Sequence, residues 1–73
     1  MIMELDKELY FRLIKAVAKL YAEDEEEMEE MIDAGWVGLY RASNSFKEDA
    51  GITFLSYAIW FIVRSVRDVK GKV

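Results

Sequence analysis

Apolar residues recur at helical spacing in three separate stretches of this chain. Leu5, Leu9, Leu13, Val17 and Leu20 form the first stripe, with Ile14 and Tyr21 on its flanks. Met28, Met31, Ile32, Gly35, Leu39, Ala42 and Phe46 form the second. The third pattern runs from Thr53 to about Val69, with Thr53 in the place of an N-cap. The spacing predicts helices over about residues 4–22, 25–46 and 53–70. Seven of the eight residues from Glu23 to Glu30 are acidic. Such side chains are favourable at the positive end of a helix dipole, so the first break is expected near residues 22–25. Phe46 to Gly51 reads as a short loop in which Gly51 supplies backbone freedom. Proline is absent, and beyond the acidic run there is no repeat, linker or low-complexity tail. The expected architecture is all-α: a compact three-helix domain spanning residues 1–73.

The third pattern carries more apolar surface than one core-facing stripe needs. Ten of the twelve residues from Ile52 to Val63 are apolar, whereas a helix packed on one side requires a stripe only about 100° wide. At the helical repeat, Ala58, Ile62, Ser65 and Val69 fall together as the expected core stripe, flanked by Phe54, Leu55, Phe61 and Val66. Ser56, Tyr57, Trp60, Val63, Arg64 and Arg67 gather on the opposite side. Within that set Tyr57, Trp60, Arg64 and Arg67 follow the spacing of one ridge. Aromatics on a helix more often belong to a core than to a nucleotide platform, and Asp68 stands where it can neutralise Arg64. If the ridge is exposed, its chemistry suits unpaired bases: each ring offers a stacking surface, and each guanidinium takes a phosphate or a ring face.

Charge places this segment in the only basic part of the chain. The net charge is −4, yet residues 1–50 carry 6 basic and 13 acidic side chains while residues 51–73 carry 4 basic and 1 acidic. An acidic total disfavours diffuse attachment to duplex DNA and leaves room for a local contact at the basic end. There is no cysteine and no histidine, which removes disulfides, thiolate and imidazole metal sites and histidine-based catalysis, and is compatible with a reducing cytoplasm. The carboxylates lie on helix starts with no nucleophile or metal ligand beside them, so no catalytic residue, metal or cofactor is expected. No run of eighteen apolar residues occurs, and the N-terminus lacks the basic start and cleavage site of a signal peptide. No membrane partner is expected.

The order of residues is more specific than the pattern. Met31-Ile32-Asp33-Ala34-Gly35-Trp36-Val37-Gly38-Leu39-Tyr40-Arg41-Ala42, then Phe46, then Gly51-Ile52-Thr53-Phe54-Leu55-Ser56-Tyr57-Ala58-Ile59-Trp60-Phe61-Ile62, resembles region 2 of the bacterial sigma-70 family. The family pattern is roughly D-L-[IV]-Q-E-G-x-[IV]-G-L-x-[KR]-A, then a Phe, a Gly and F-S-T-Y-A-x-W-W-I-R. The match runs without a gap from about Tyr10, with Ala18-Lys19-Leu20-Tyr21 on the family's A-K-x-Y. The resemblance implies a transcription initiation module that is not an enzyme. Its partners would be the RNA polymerase core, through the clamp coiled coil of the largest subunit, and the single-stranded minus-ten element of a promoter. It assigns promoter DNA to Phe54, Ser56, Tyr57, Trp60, Phe61, Arg64 and Arg67, with Tyr57 and Trp60 holding a flipped adenine. It assigns the core polymerase to Glu29, Glu30, Asp33, Ala34 and Trp36.

Departures from the family qualify these expectations. The family's Gln-Glu before glycine reads Asp33-Ala34, so one carboxylate of the core contact is missing, and the following polar position is Trp36. The second Trp of W-W is Phe61, and polar positions of the third helix are Leu55, Ile59 and Val63. The chain has no room for region 4, so the resemblance implies an excised domain or a one-domain protein working with a second sigma subunit that supplies region 4. The extra apolar residues suit docking to such a subunit. The alternative is a sigma-like protein-interaction module that docks a partner subunit or regulator without binding DNA itself.

Overall fold

Side chains at Asp6, Asp24 and Thr53 decide where the helices begin. In a computed structural model, which describes residues 6–49 and 51–71, the chain forms α1 (Lys7–Tyr21), α2 (Glu25–Ser45) and α3 (Phe54–Lys70). The first N–H groups of a helix have no partner within it, and a capping oxygen satisfies one of them. Asp6 accepts from the Leu9 N–H at 3.2 Å, Asp24 from the Glu27 N–H at 2.8 Å and Thr53 from the Ser56 N–H at 3.2 Å. The Glu27 carboxylate reaches back to the Glu23 N–H at 2.8 Å, which closes the expected break between the first two helices. Thr53 is thus the cap anticipated from sequence. The first helix starts at Lys7, three residues later than expected, because Asp6 is extended and serves as its N-cap; Leu5 lies outside the described residues. Gly51 adopts φ +87°, a conformation that glycine enters without steric cost.

Contacts at the helix ends set the topology. Tyr10 near the start of α1 touches Phe54 at the start of α3, while Lys70 at the end of α3 meets Glu23 and Glu27 at the start of α2. The helices α1 and α3 therefore run parallel, with α2 antiparallel to both. The three form a slab 38 × 24 × 15 Å, little thicker than a single helix with its side chains. So thin a body buries few residues completely: Ile14, Ala18, Met31, Ala42, Ala58, Ile62 and Val66 are sealed, with Tyr10 and Leu39 nearly so.

Two glycines of α2 let its neighbours approach. A Cβ placed on Gly35 would collide with the Ile14 side chain of α1. One placed on Gly38 would stand 2.8 Å from the Phe61 carbonyl oxygen and 2.6 Å from Ser65 Oγ of α3. The Gly35 socket also explains a correction to the first stripe. Its core line is Tyr10, Ile14 and Ala18, not Leu9, Leu13, Val17 and Leu20; Leu20 is 77% exposed and Leu13 and Val17 are half-buried. The first helix is apolar on more than one side, and the shape of α2 selects which side packs. In α3 the sealed residues are Ala58, Ile62 and Val66, while Ser65 and Val69 are half-buried and Leu55 is 42% exposed. Val66, expected as a flank, therefore replaces Ser65 and Val69 in the stripe, and Leu55 is not among its covered flanks. The second stripe stands as expected, with Met31, Gly35, Leu39 and Ala42 buried.

Two expectations follow. In an open helix Gly→Ala is favourable by about 1 kcal/mol, but at Gly38 the methyl group meets a backbone carbonyl that cannot yield alone. Gly38→Ala is expected to destabilise the fold by about 1–3 kcal/mol in urea unfolding; a variant as stable as the parent would mean that α3 lies further from α2. The second concerns alkaline pH. Burial, with a smaller effect of Asp6, raises the Tyr10 phenol above its usual 10.0. Hydrogen bonding to Glu23, reinforced by Glu27 against a partial desolvation, raises the Lys70 ammonium above its usual 10.5. Raised folded-state values stabilise fully below the unfolded values, and that stabilisation is lost as pH climbs through the folded ones. Stability is expected to fall above about pH 10, and Tyr10→Phe combined with Lys70→Met should flatten that fall. Parallel declines in parent and double variant would reject both assignments.

Candidate nucleic-acid interface

Six aromatic rings form a continuous file from the core to the surface of α3. Tyr10 meets Phe54 edge-on at 6.1 Å between centroids, Phe54 meets Phe46 at 5.3 Å, and Phe46 meets Tyr57 at 5.2 Å. Tyr57 then meets Phe61 at 4.9 Å, and Phe61 meets Trp60 at 5.7 Å. Edge-to-face and tilted pairs at these distances are favourable beyond their buried area. Trp60 ends the file and is 60% exposed. The Arg64 guanidinium lies over its ring, 5.4 Å from the centroid, one helical turn further along.

The expected ridge of Tyr57, Trp60, Arg64 and Arg67 is therefore divided. Trp60, Arg64 and Arg67 point outward with Ser56, whereas Tyr57 is half-buried and turned toward the end of α2. There its hydroxyl meets Ser45 Oγ at 2.8 Å. Phe54 and Phe61 are also half-buried, as inner members of the ring file. Ser56 Oγ accepts from the Thr53 hydroxyl at 3.2 Å, so it takes part in the cap while facing solvent. Among the described residues Arg64 forms no ion pair with Asp68; Trp60 is the group it covers. The outer face of α3 thus offers one open indole, two guanidinium groups and a hydroxyl, backed by a wall of packed rings. An unpaired base can stack on such a ring while the guanidinium groups take flanking phosphates.

Of the residues expected to meet core polymerase, Glu30, Asp33 and Ala34 line one shallow hollow with Val37 and, from α3, Val69, whereas Trp36 lies apart from it. Glu29, Glu30 and Asp33 are exposed along the middle of α2. Ala34 sits at the edge toward α3, beside Val69. Trp36 sits at the opposite edge, stacked on Phe11 of α1 at 6.3 Å with the planes 10° apart. Part of the acidic run has an internal use: Lys70 Nζ lies 3.0 Å from Glu23 and 3.4 Å from Glu27. Sequence reasoning passed over Phe11 and Tyr40, which is 67% exposed and one turn beyond Trp36. The i, i+4 spacing of Trp36 and Tyr40 was the available signal. It also passed over Ser45 and Phe46 as partners of Tyr57, a juxtaposition that no local periodicity reveals. Among the described residues no group of three or more histidine, cysteine, aspartate and glutamate side chains can hold a metal ion, and no helix is long and apolar enough to cross a membrane.

Comparison with known proteins places these features in a wider set. The Sigma-70 region 2 family matches residues 8–72. The RNA polymerase sigma factor SigA of Nostoc sp. is 33% identical over 55 residues, which cover 75% of this chain and 14% of that protein. SigA of Synechocystis sp. is likewise 33% identical over 55 residues, covering 75% of this chain and 13% of its own length. The chloroplastic RNA polymerase sigma factor sigF of Arabidopsis thaliana is 32% identical over 56 residues, 77% of this chain and 10% of that protein. The chain thus spans 14% or less of the length of these relatives. No solved structure matches it significantly.

Proposed function

Because the chain belongs to the sigma-70 region 2 family, we propose that it is a transcription initiation module, acting in the cytoplasm, that joins a polymerase core to the melted minus-ten strand of a promoter. The observation that carries the DNA half is the outermost ring of the file: Trp60 is open to solvent and covered on one side by Arg64. A base drawn out of the duplex stacks on this indole, with Tyr57 and Phe61 as the packed wall behind it. Arg64, Arg67 and Ser56 take the sugar-phosphate backbone. Unstacking a base costs a few kcal/mol, and stacking returns about 1–3 kcal/mol per base, so capture needs both ring and backbone contacts. The other half of the reading assigns Glu29, Glu30 and Asp33, with Trp36 and Ala34 at the edges, to a basic coiled coil of the core. The charge missing at Ala34 makes this contact less electrostatic than a fully acidic face.

A second reading draws on a specific observation. Leu55 is exposed, and Ile59 and Val63 are only half-buried, on a helix that also carries the proposed DNA contacts. Exposed apolar side chains of this kind fit a protein partner, such as a second sigma subunit carrying region 4 or a regulator, and on this reading DNA is not bound.

The two readings separate in one experiment. Trp60→Ala is expected to weaken binding of a single-stranded minus-ten oligonucleotide by roughly 5- to 150-fold, the value of one stacked base. Its thermal midpoint should stay near that of the parent, because the ring is largely outside the core. Tyr57→Ala should lower affinity and stability together, since it removes a ring from the middle of the file. Undiminished binding by Trp60→Ala, or no measurable binding by the parent, would leave the protein-docking reading in its place.

A further inference from the structure

The hydroxyl of Ser45 makes two contacts that together orient Tyr57. It donates to the Arg41 carbonyl oxygen at 3.0 Å, within α2, and lies 2.8 Å from the Tyr57 hydroxyl of α3. A serine hydroxyl has one hydrogen. With that hydrogen on Arg41, the proton between the two hydroxyls comes from tyrosine: Tyr57 donates and Ser45 accepts. The phenol is held at its far end by this bond. Its ring is flanked by Phe46 at 5.2 Å and Phe61 at 4.9 Å, the two planes tilted by 55° and 44° to its own. A half-buried tyrosine at the start of a helix is thereby fixed at its tip and along its length, and Phe61 carries the same constraint on to Trp60.

We propose that Ser45 is a positioning residue for base capture: by accepting the Tyr57 hydroxyl it holds the ring wall behind Trp60 in the orientation a flipped base meets. The proposal rests on the reading of α3 as the base-capturing helix. Its physical basis is pre-organisation. A wall ordered before binding costs no side-chain entropy at the moment of capture, whereas a free phenol must be ordered then. Ser45 touches no base in this arrangement; it acts through Tyr57.

The test is a double-mutant cycle on the chain itself, read by the affinity for a single-stranded minus-ten oligonucleotide and by the thermal midpoint. Ser45→Ala and Tyr57→Phe each remove the same bond and are each expected to weaken binding about two- to tenfold, the value of one net hydrogen bond. The double variant should be no weaker than either single one, and Ser45→Thr, which keeps the hydroxyl, should restore the parent affinity. Affinities are compared well below the thermal midpoints, so a loss confined to stability does not move them. If Ser45→Ala and Tyr57→Phe bind as the parent does while Trp60→Ala fails, the positioning role is wrong and the base-capture reading survives. Additive losses in the double variant would equally overturn it. If Trp60→Ala itself binds normally, the base-capture reading falls and takes this proposal with it.

Discussion

The close approach of α3 to α2 at Gly38 is the constraint on which the remaining arrangement depends. The Phe61 carbonyl and Ser65 occupy the space that any other residue's Cβ would take. Fixing these two positions of α3 fixes its rotation. Ala58, Ile62 and Val66 then turn inward, and Trp60, one residue before the pinned carbonyl, turns outward. The same rotation brings Tyr57 against the last turn of α2. Gly35 does the equivalent for α1 by admitting Ile14. The geometry of the proposed DNA face is thus set on the far side of the helix that bears it, by residues with no side chain.

This explains what was readable in the sequence. Helix caps depend on neighbours three residues away, so Thr53 and the break before Glu25 were legible, and Gly51 announced its turn. The second stripe was clear because charge marks the outer side of α2. The first was not, because leucines on one side of α1 and Tyr10, Ile14 and Ala18 on another satisfy the same period. Only the socket at Gly35 decides between them. Tyr57 illustrates a different gap. Its place on a ridge with Trp60 follows from helical spacing, but its burial comes from Phe46, Phe61 and Ser45, two of which belong to other segments. The outward placement of Trp60 and Arg64 was correct because nothing distant competes for them.

Thinness accounts for the surplus of apolar residues. A slab 15 Å deep has room for one buried line per helix. Residues on both flanks of that line remain half-covered, as Ile59, Val63, Leu13 and Val17 do. Among the described residues no charged side chain is buried: Lys70 draws Glu23 and Glu27 together at the surface, and the rest of the acidic run stays in water. Exposed ion pairs of this kind contribute little to stability individually. Their use here is to tie the last turn of α3 to the first turn of α2.

That tie has a counterpart at the other end, where Ser45 and Phe46 hold Tyr57 and Phe54, so α2 and α3 form a hairpin clasped at both ends. The first helix packs less closely against either of them than they do against each other. The contacts of the hairpin are near in sequence, whereas α1 reaches it through Tyr10, Ile14 and Ala18, which complete the core. Displacing α1 would uncover the Gly35 socket and take Tyr10 away from Phe54. It would leave untouched the two ties between α2 and α3, one of which holds Tyr57 behind Trp60.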